Sequence, residues 1–501
     1  MASTIASPQG RFAAAPRNWI AGHPVLSGFV AFTGLAALSR PATFRMPLAE
    51  DAGGYMYIGD VLLHGGTSYV DVADNKLPAN HLLFALIRLV SDTSSVRVRL
   101  VLLLAAGLAA TALALYVARY AGRAIGFLAG AVFAVLGSAA AVEGTDPNTE
   151  QFGVLPMVAG LWLATRGSRA ASLAAGAAAA IASLINPGFV FVIPFVAFEL
   201  WRAESPQARP RLERFVTALI GGLCVAAPIA LWLGAAGALD DMVTQVSGYA
   251  REAANGHVPA GLSPKVVRHH VTLRYLLDVP MGAVWVGGLT GCAVAAANPR
   301  LRRVALVLAA WIVVMWGRVK LSSFEYDHYY YPAVPGLAGG LAVGIGALWG
   351  GDWRRRVGLA CLVLAVPVWS QVVGPQWKAL AVPPWDRWGT GSPYAAAYGV
   401  AAAIDRATPP GARIMVAGHA GEVYWLADRR APTRLWNYFR ATEHAKYRRE
   451  REAALRRSPP AAIAVLPTDV VDPDLRRLMA VRRYRLIYGS GGARVWVREG
   501  D

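Results

Sequence analysis

The sequence contains 501 residues, of which 55% are hydrophobic and only 16% are charged. Soluble proteins average roughly 25% charged residues, so this composition excludes an ordinary soluble enzyme and favours a protein that crosses a membrane several times. The formal net charge of +18 does not indicate nucleic-acid binding, because the arginines form short clusters between apolar runs, where they set membrane topology.

Apolar segments long enough, or nearly long enough, to cross a bilayer recur along the chain, since a spanning helix needs roughly 20 mostly apolar residues. The first resembles a signal peptide, but its uncharged run is longer than the roughly 7–15 apolar residues of such peptides, so we expect it to be retained. The eleven predicted spans cover about residues 18–39, 99–118, 124–142, 151–165, 170–185, 187–201, 215–237, 279–299, 304–318, 332–351 and 357–375.

The basic clusters predict which connections face the cytoplasm, because loops rich in Lys and Arg stay on that side. With a cytoplasmic N-terminus, the connections that carry most carboxylates lie outside. This arrangement requires that Pro78–Val90 does not cross the bilayer, and a run this short predicts a helix lying at the outer surface. The predicted outer loops are 40–98, 143–150, 240–278 and 318–331.

The C-terminal part of the chain has a different character, because residues 376–501 contain no long apolar run. Strand-like stretches alternate with helical ones, a pattern typical of a small α/β domain. We therefore predict a membrane catalytic domain over 1–375, with outer juxtamembrane helices within 40–98, then a linker at 383–393 and an extracytoplasmic α/β domain. The predicted elements of this domain are strands at Arg413–Ala417, Ala461–Leu466, Tyr484–Tyr488 and Ala493–Val497, and a helix at Glu443–Arg457.

The first outer loop contains the acid pair Glu50 and Asp51, followed by Tyr55 and then by Lys76 shortly before Pro78. A carboxylate that deprotonates an acceptor hydroxyl acts as a general base. The same acids could instead be solvated loop residues or helix caps. Lysine binds phosphate as a point charge, so Lys76 is a candidate for phosphate binding.

The second outer loop contains three acids, Glu143, Asp146 and Glu150, within eight residues. They could bind a divalent cation, Mg²⁺ or Ca²⁺, through oxygen ligands, or position an acceptor. Asp146 could also cap the next helix, with Pro147 in its first turn. These alternatives stay open at the level of the sequence.

The histidines in the loop 240–278 do not indicate a metal site. His269 and His270 are adjacent, and neighbouring residues on a helix face different directions. We predict no metal site there.

The last outer loop combines the cations Arg318, Lys320 and His328 with aromatic residues that include Tyr329. Aromatic belts and snorkelling cations are common at a membrane boundary. The functional alternative is a clamp for the phosphate of a lipid head group, with aromatic rings stacking on a sugar.

Together these motifs resemble the GT-C superfamily of glycosyltransferases that use polyprenyl-phosphate sugars, and most of all the aminoarabinose transferase and protein O-mannosyltransferase group. Asp51 and Tyr55 match that group's first-loop motif, although Ala52 stands where a glutamate usually follows the aspartate. The middle of the loop matches as Gly66–Asp71, and its end as Asn75–Pro78, with Leu77 in place of a proline. Asp146-Pro147 and His328–Pro332 match the motifs of the later loops.

The resemblance implies an inverting transfer of a sugar from polyprenyl phosphate to a glycan, lipid or protein acceptor on the outer face of a bacterial inner membrane. It implies neither a nucleic-acid partner nor a required cofactor, with a divalent cation as the open alternative. A secondary transporter and a lipid-linked glycan ligase are the rival functions. The residues expected in the site are Asp51, Glu50 and Asp146 for catalysis, Lys76, Arg318, Lys320 and His328 for the donor phosphate, and Tyr55, Glu150 and Tyr329 for substrate binding.

Overall fold

The computed structural model describes residues 23–204, 209–255, 279–322, 326–348, 372–381, 393–437, 445–467, 469 and 471–499. Four sequence predictions fall wholly or mostly outside these residues: the cytoplasmic N-terminus, the span at 357–375, the linker at 383–393, and the basic half of the loop 240–278 with its two adjacent histidines.

The described residues up to 381 are built from helices joined by short connections. Short 3-10 turns lie at the ends of several helices, including Asp327–Ala333. The helices are α1 (Pro24–Ser39), α2 (Glu50–Leu63), α3 (Pro78–Ser91), α4 (Ser95–Ala121), α5 (Arg123–Leu136), α6 (Thr149–Ala164), α7 (Arg169–Ile185), α8 (Val192–Arg202), α9 (Arg211–Ala235), α10 (Leu239–Asn255), α11 (Val279–Ala296), α12 (Arg302–Lys320), α13 (Val334–Leu348) and α14 (Gly374–Lys378).

Three helical segments of the described chain are long and apolar enough to cross a membrane: α4, α9, and the run Asp327–Leu348 that ends in α13. Four shorter apolar helices accompany them, within α1, α5, α7 and α11. These helices fall on predicted spans, while the total of eleven spans stays a prediction.

Helix α3 has the two-faced character expected of a helix at the membrane surface. Phe84 and Ile87 are buried against the protein, whereas Leu86 and Leu89 are 64% and 66% exposed. Fourteen residues span only about 21 Å at 1.5 Å per residue, less than the roughly 30 Å of a bilayer core. The exposed leucines therefore suit an interfacial position.

The C-terminal part, here called the tail (residues 393–499), contains a four-stranded sheet with the order β1-β2-β4-β3. The first pair is parallel, with Ile414 opposite Ala462, and the other two pairs are antiparallel. The strands fall on the stretches predicted from the sequence. The elements are α15 (Pro393–Ala407), β1 (Ile414–Val416), α16 (Gly421–Ala427), α17 (Ala445–Arg457), β2 (Ala462–Val465), α18 (Pro473–Val481), β3 (Tyr484–Ser490) and β4 (Ala493–Arg498).

The tail and the first outer loop share one hydrophobic core. Tyr57 of α2 stacks on Tyr424 of α16, with ring centres 4.8 Å apart, and also meets the edge of Trp436. The hydroxyl of Tyr57 accepts a hydrogen bond from the backbone N–H of Ala431. Trp425 of α16 donates from its indole to the carbonyl of Asp92 at the end of α3. The tail is thus packed directly onto the loop that contains Asp51.

Candidate active site

Helix α2 brings three of the predicted site residues together. It begins at Glu50, so Glu50 and Asp51 lie in its first turn, where unpaired backbone N–H groups favour negative charge. Tyr55 follows one turn later on the same face as Asp51 and is buried against the ring of Phe84. Glu50 is exposed, whereas Asp51 is only partly so.

Both carboxylate oxygens of Asp51 contact residues that the sequence did not single out. His419 Nε2 lies 3.2 Å from Oδ1, and the amide of Asn148 donates to Oδ2 at 3.4 Å. His419 belongs to the tail, 368 residues further along the chain. The Asp51 side chain remains 33% exposed, so an incoming molecule can still reach the carboxylate.

The charges around Asp51 keep it ionised. Burial acts to raise the pKa of the Asp51 carboxyl, but the hydrogen bond with His419 and the positive charges of His419, Lys76 and His328 hold this pKa well below its usual range. Burial acts to lower the pKa of His419, while the bond to Asp51 and the charges of Glu50 and Asp51 raise it to about 9. The contact is therefore an ion pair at neutral pH.

Lys76 is a buried cation close to this pair. Its Nζ lies 6.0 Å from the centre of the Tyr55 ring, and only 9% of the residue is exposed. No carboxylate oxygen of the described residues lies within 4.0 Å of its Nζ. Burial acts to lower the pKa of Lys76, yet the charges of Glu150, Asp51 and neighbouring groups raise it. Lys76 is thus a protonated ammonium without a close counter-ion.

The loop between α2 and α3 fixes the position of Lys76. The Tyr69 hydroxyl donates to the Lys76 carbonyl at 2.7 Å, and buried His81 contacts Asp74 at 2.9 Å. The backbone N–H of Asp74 donates to the side chain of Gln245 in α10. Several elements therefore hold the backbone on either side of the lysine.

Glu150 and Arg318 form a second, fully enclosed charge pair. Arg318 Nη1 lies 4.0 Å from Glu150 Oε1, and its Nη2 donates to the carbonyl of Tyr329 at 2.7 Å. Glu150 also accepts hydrogen bonds from Thr149 at 2.6 Å and Asn186 at 2.9 Å. Glu150 has no exposed surface, and its carboxylate faces Thr149, Asn186 and Arg318.

The last outer loop folds back over the second one. His328 Nδ1 lies 2.8 Å from Glu143 Oε2, and the ring of His328 stacks on that of Tyr326. The hydroxyls of Tyr329 and Tyr249 share a hydrogen bond of 3.0 Å, which joins this loop to α10. His328 therefore binds the second loop, and Tyr329 binds α10.

Asp146 forms a charge pair with a buried arginine, Arg99. Arg99 Nη2 lies 3.8 Å from its carboxylate and also donates to the carbonyl of Pro47. Burial raises the pKa of Asp146 to about 6, against the opposing charge of Arg99. Asp146 does not cap α6: the cap is Asn148, whose side chain accepts from the Thr149 N–H. The capping alternative for Asp146 was therefore wrong.

Lys320 and the three acids of the second loop each contact a different group. Lys320 is exposed, and its ammonium lies 5.9 Å from the centre of the Trp316 ring in its own helix. Glu143, Asp146 and Glu150 each face a different partner. Within the described residues, no three His, Cys, Asp or Glu side chains are placed to hold a metal ion.

Comparison with known proteins supports the fold. No protein-family model matches the sequence, and no curated protein matches it. Among solved structures, ArnT from Cupriavidus metallidurans bound to undecaprenyl phosphate aligns over 95% of this chain and 98% of its own, with 16% identity and a TM-score of 0.62.

Two other solved structures share the fold at lower similarity. The oligosaccharyltransferase AglB from Archaeoglobus fulgidus, in complex with an inhibitory peptide and a dolichol-phosphate, aligns over 96% of this chain and 75% of its own, with 12% identity and a TM-score of 0.53. The arabinofuranosyltransferase AftD from Mycobacteria aligns over 99% of this chain and 42% of its own, with 14% identity and a TM-score of 0.50. The chain therefore has the fold of the GT-C glycosyltransferases, as its motifs predicted.

Proposed function

We propose that the protein is an inverting membrane glycosyltransferase, which moves a sugar from a polyprenyl-phosphate donor to an acceptor hydroxyl or amine on the outer face of a bacterial inner membrane. The observation that carries the proposal is an ionised, accessible carboxylate, Asp51, near a buried cation, Lys76, whose ammonium has no carboxylate within 4.0 Å among the described residues. The complex of ArnT with undecaprenyl phosphate is the likeness that suggests the class of donor.

The chemistry requires one base and one anion site. The acceptor oxygen or nitrogen attacks the anomeric carbon, the bond from that carbon to the phosphate oxygen breaks, and Asp51 accepts the acceptor's proton. Polyprenyl phosphate leaves with the bonding electron pair. Since the leaving group is already a stable anion, this step needs no covalent enzyme intermediate.

The negative charge that develops on the leaving phosphate is offset by Lys76 and, beside it, by Arg318. Preorganised charges aimed at a developing anion are usually the largest catalytic contribution, worth roughly 10²–10³ in kcat for one group. Glu150 holds the Arg318 guanidinium in place, while His328 is held by Glu143. Lys320 remains a proposed contact for the phosphate at the outer end of α12.

Substrate hydroxyls have several partners around this centre. Tyr55 and Tyr329 present rings and hydroxyls that suit a sugar, and Asp146 and exposed Glu50 could orient an acceptor. A divalent cation is not required by this scheme, because Lys76 and Arg318 supply the positive charge and the acids of the second loop have separate partners.

The rival functions are a secondary transporter and a lipid-linked glycan ligase. Transporters concentrate charged residues near the middle of the membrane, whereas Asp51 and Lys76 lie on the juxtamembrane helix α2 and the loop that follows it. No observation on the described residues favours the rivals over sugar transfer.

The test is transfer of labelled sugar in proteoliposomes. Purified protein is incubated with labelled polyprenyl-phosphate sugars and an extract of envelope glycans and lipids, and both labelled product and released polyprenyl phosphate are measured. We expect the two to appear in equal amounts, with a product of inverted anomeric configuration. Passage of label across the membrane without release of polyprenyl phosphate would identify a transporter instead.

A further inference from the structure

The inference concerns the tail and rests on the proposed function. Two tail segments, 418–422 and 434–437, contact Asp51 and the loop that carries Lys76. The first places His419 on Asp51 at 3.2 Å. The second binds the loop that carries Lys76, because Ala73 donates to the carbonyl of Arg434 at 2.9 Å and accepts from the indole of Trp436 at 3.0 Å.

Adjacent glycines in α2 make room for this contact. A Cβ on Gly53 would lie 2.3 Å from the Cβ and 2.5 Å from the Cα of Glu422, and one on Gly54 would lie 2.8 Å from the Trp436 ring. Real Cβ atoms essentially never approach other atoms this closely. The start of α16 therefore packs on α2 two residues after Asp51, at a distance that a larger residue would not allow.

The imidazole of His419 is fixed from three sides. Its ring stacks on Trp436, with centres 5.9 Å apart and planes 27° apart. The side-chain amide of Asn437 hydrogen-bonds to Nδ1, while Nε2 faces Asp51. An amide offers both a donor and an acceptor, so Asn437 can serve either protonation state of the ring.

We propose that the tail is a structural part of the catalytic centre, and that His419 is a positioning residue that orients the Asp51 carboxylate toward the acceptor. His419 hydrogen-bonds to Oδ1 of Asp51 and Asn148 donates to Oδ2, so the two donors fix the plane of the carboxylate. The imidazolium also stabilises the ionised form of Asp51, which is the form that accepts a proton.

Charged groups from each neighbouring element surround His419. Helix α2 contributes Asp51 and exposed Glu50, α16 contributes buried Glu422, and the loop after β2 contributes Asp469. Neither carboxylate oxygen of Glu422 has a hydrogen-bond partner among the described residues. Burial raises the pKa of Glu422 to about 8 and that of Asp469 to about 7, with the charge of Glu50 adding to both. His419 is the positive group of this cluster.

The deciding experiment compares pH profiles of sugar transfer for the wild-type chain, His419→Gln and the control His64→Gln. His64 also contacts an aspartate, Asp60, but at the far end of α2. We expect wild-type activity to fall as pH rises through about 9, where His419 loses its proton. In His419→Gln this fall should be absent, and activity at pH 7 should be roughly tenfold lower. Inactivation at acid pH should begin at a higher pH than in the wild type, because the pKa of Asp51 returns toward 3.8.

If His419→Gln lowers the rate of sugar transfer equally at every pH, the acid and alkaline falls in activity stay at their wild-type pH values. That result would mean that His419 has only a structural role, and it would overturn the proposal. His64→Gln should reproduce the wild-type profile. As a second variant, Gly53→Ala should reproduce the altered profile of His419→Gln, because it displaces α16. Gly34→Ala is its control, since a Cβ there meets nothing within 4 Å. A wild-type profile in folded Gly53→Ala would also contradict the proposal.

A measurement without activity separates this inference from the proposed function. Carbon-13-labelled histidine in the full chain lets the pKa of His419 be measured by NMR, with His419→Gln assigning the signal. We expect a raised pKa that falls toward 6.5 in Asp51→Asn. An ordinary pKa in the wild type would refute the contact itself. If the pKa of His419 is raised but the protein transfers no polyprenyl-phosphate sugar, the contact with Asp51 is supported and the proposed function is rejected.

Discussion

The guanidinium of Arg318 lies 4.0 Å from the carboxylate of Glu150, which has no exposed surface. Glu150 precedes the first predicted residue of its span, and Arg318 ends the predicted span of α12, so one charge pair joins the ends of two helices. Breaking one member of a buried pair leaves the other charge uncompensated. The position of Arg318 therefore depends on Glu150.

Glu150→Gln should lower kcat/KM for the polyprenyl-phosphate donor by roughly 10- to 100-fold, because Arg318 loses its counter-ion at 4.0 Å and opposite charges at that distance interact by up to about 4 kcal/mol. The amide retains the shape of the carboxylate and one acceptor oxygen for Asn186, so the fold should survive. Steady-state kinetics with varied donor measures the effect. A donor KM and kcat equal to wild type would show that Arg318 has no part in donor binding.

Asp51→Asn should reduce transfer by at least about 100-fold, the lower range for a general base, because the amide cannot accept the acceptor's proton. Initial rates in proteoliposomes measure this. Asp405→Asn is the matched control: Asp405 is an exposed partner of Arg429 in the tail, and its loss should leave the rate unchanged. Full activity in Asp51→Asn would remove the general-base assignment.

Lys76→Ala should lower kcat by roughly 10²–10³, the usual loss for one preorganised group at a developing anion. Product inhibition by polyprenyl phosphate should weaken in the same variant, because the phosphate loses its cation. Lys378→Ala, which removes an exposed lysine of α14, controls for the change in net charge. Unaltered inhibition by polyprenyl phosphate in Lys76→Ala would contradict the phosphate role.

The ion pair between Asp51 and His419 should make stability depend on pH in a defined window. The pKa of His419 is raised in the folded chain to about 9, so its contribution is complete below its ordinary value of 6.5 and is lost as pH rises through about 9. The pKa of Asp51 is lowered, so its contribution is complete above 3.8 and is lost only at lower pH.

Thermal unfolding of the wild type and His419→Gln between pH 6 and 10 tests this window. Both side chains are partly exposed, so the difference should be at most about 1 kcal/mol at pH 7 and should vanish above about 9. A difference that is constant across the whole range would show that packing, rather than charge, accounts for it.

Much of the fold could be predicted from the sequence because its signals are local. Uncharged runs mark α4 and α9, a short continuous apolar run marks β2, and the short run after Pro78 marks α3. Asp51, Tyr55 and Lys76 could be proposed as site residues in the same way, because their residue types occur together within one predicted outer loop.

The contacts of these residues could not be predicted, because they are set by packing between distant segments. Nothing in the sequence near His419 shows that it reaches Asp51, 368 residues away. Asn148 was overlooked because Asp146-Pro147 is the stronger capping signal, yet a buried arginine, Arg99, holds Asp146 instead. Gly53 and Gly54 gave the one local sign of close packing beside Asp51.

The hydrophobic core shared by the first outer loop and the tail has a consequence for biosynthesis. At the usual 5–20 residues per second, His419 leaves the ribosome roughly 20 to 70 seconds after Asp51. During that interval the ring of Tyr57 lacks its packing partners in the tail, Tyr424 and Trp436. The packing around the candidate site is therefore complete only after the tail has been synthesised, and a chain that stops before the tail lacks the contact between His419 and Asp51.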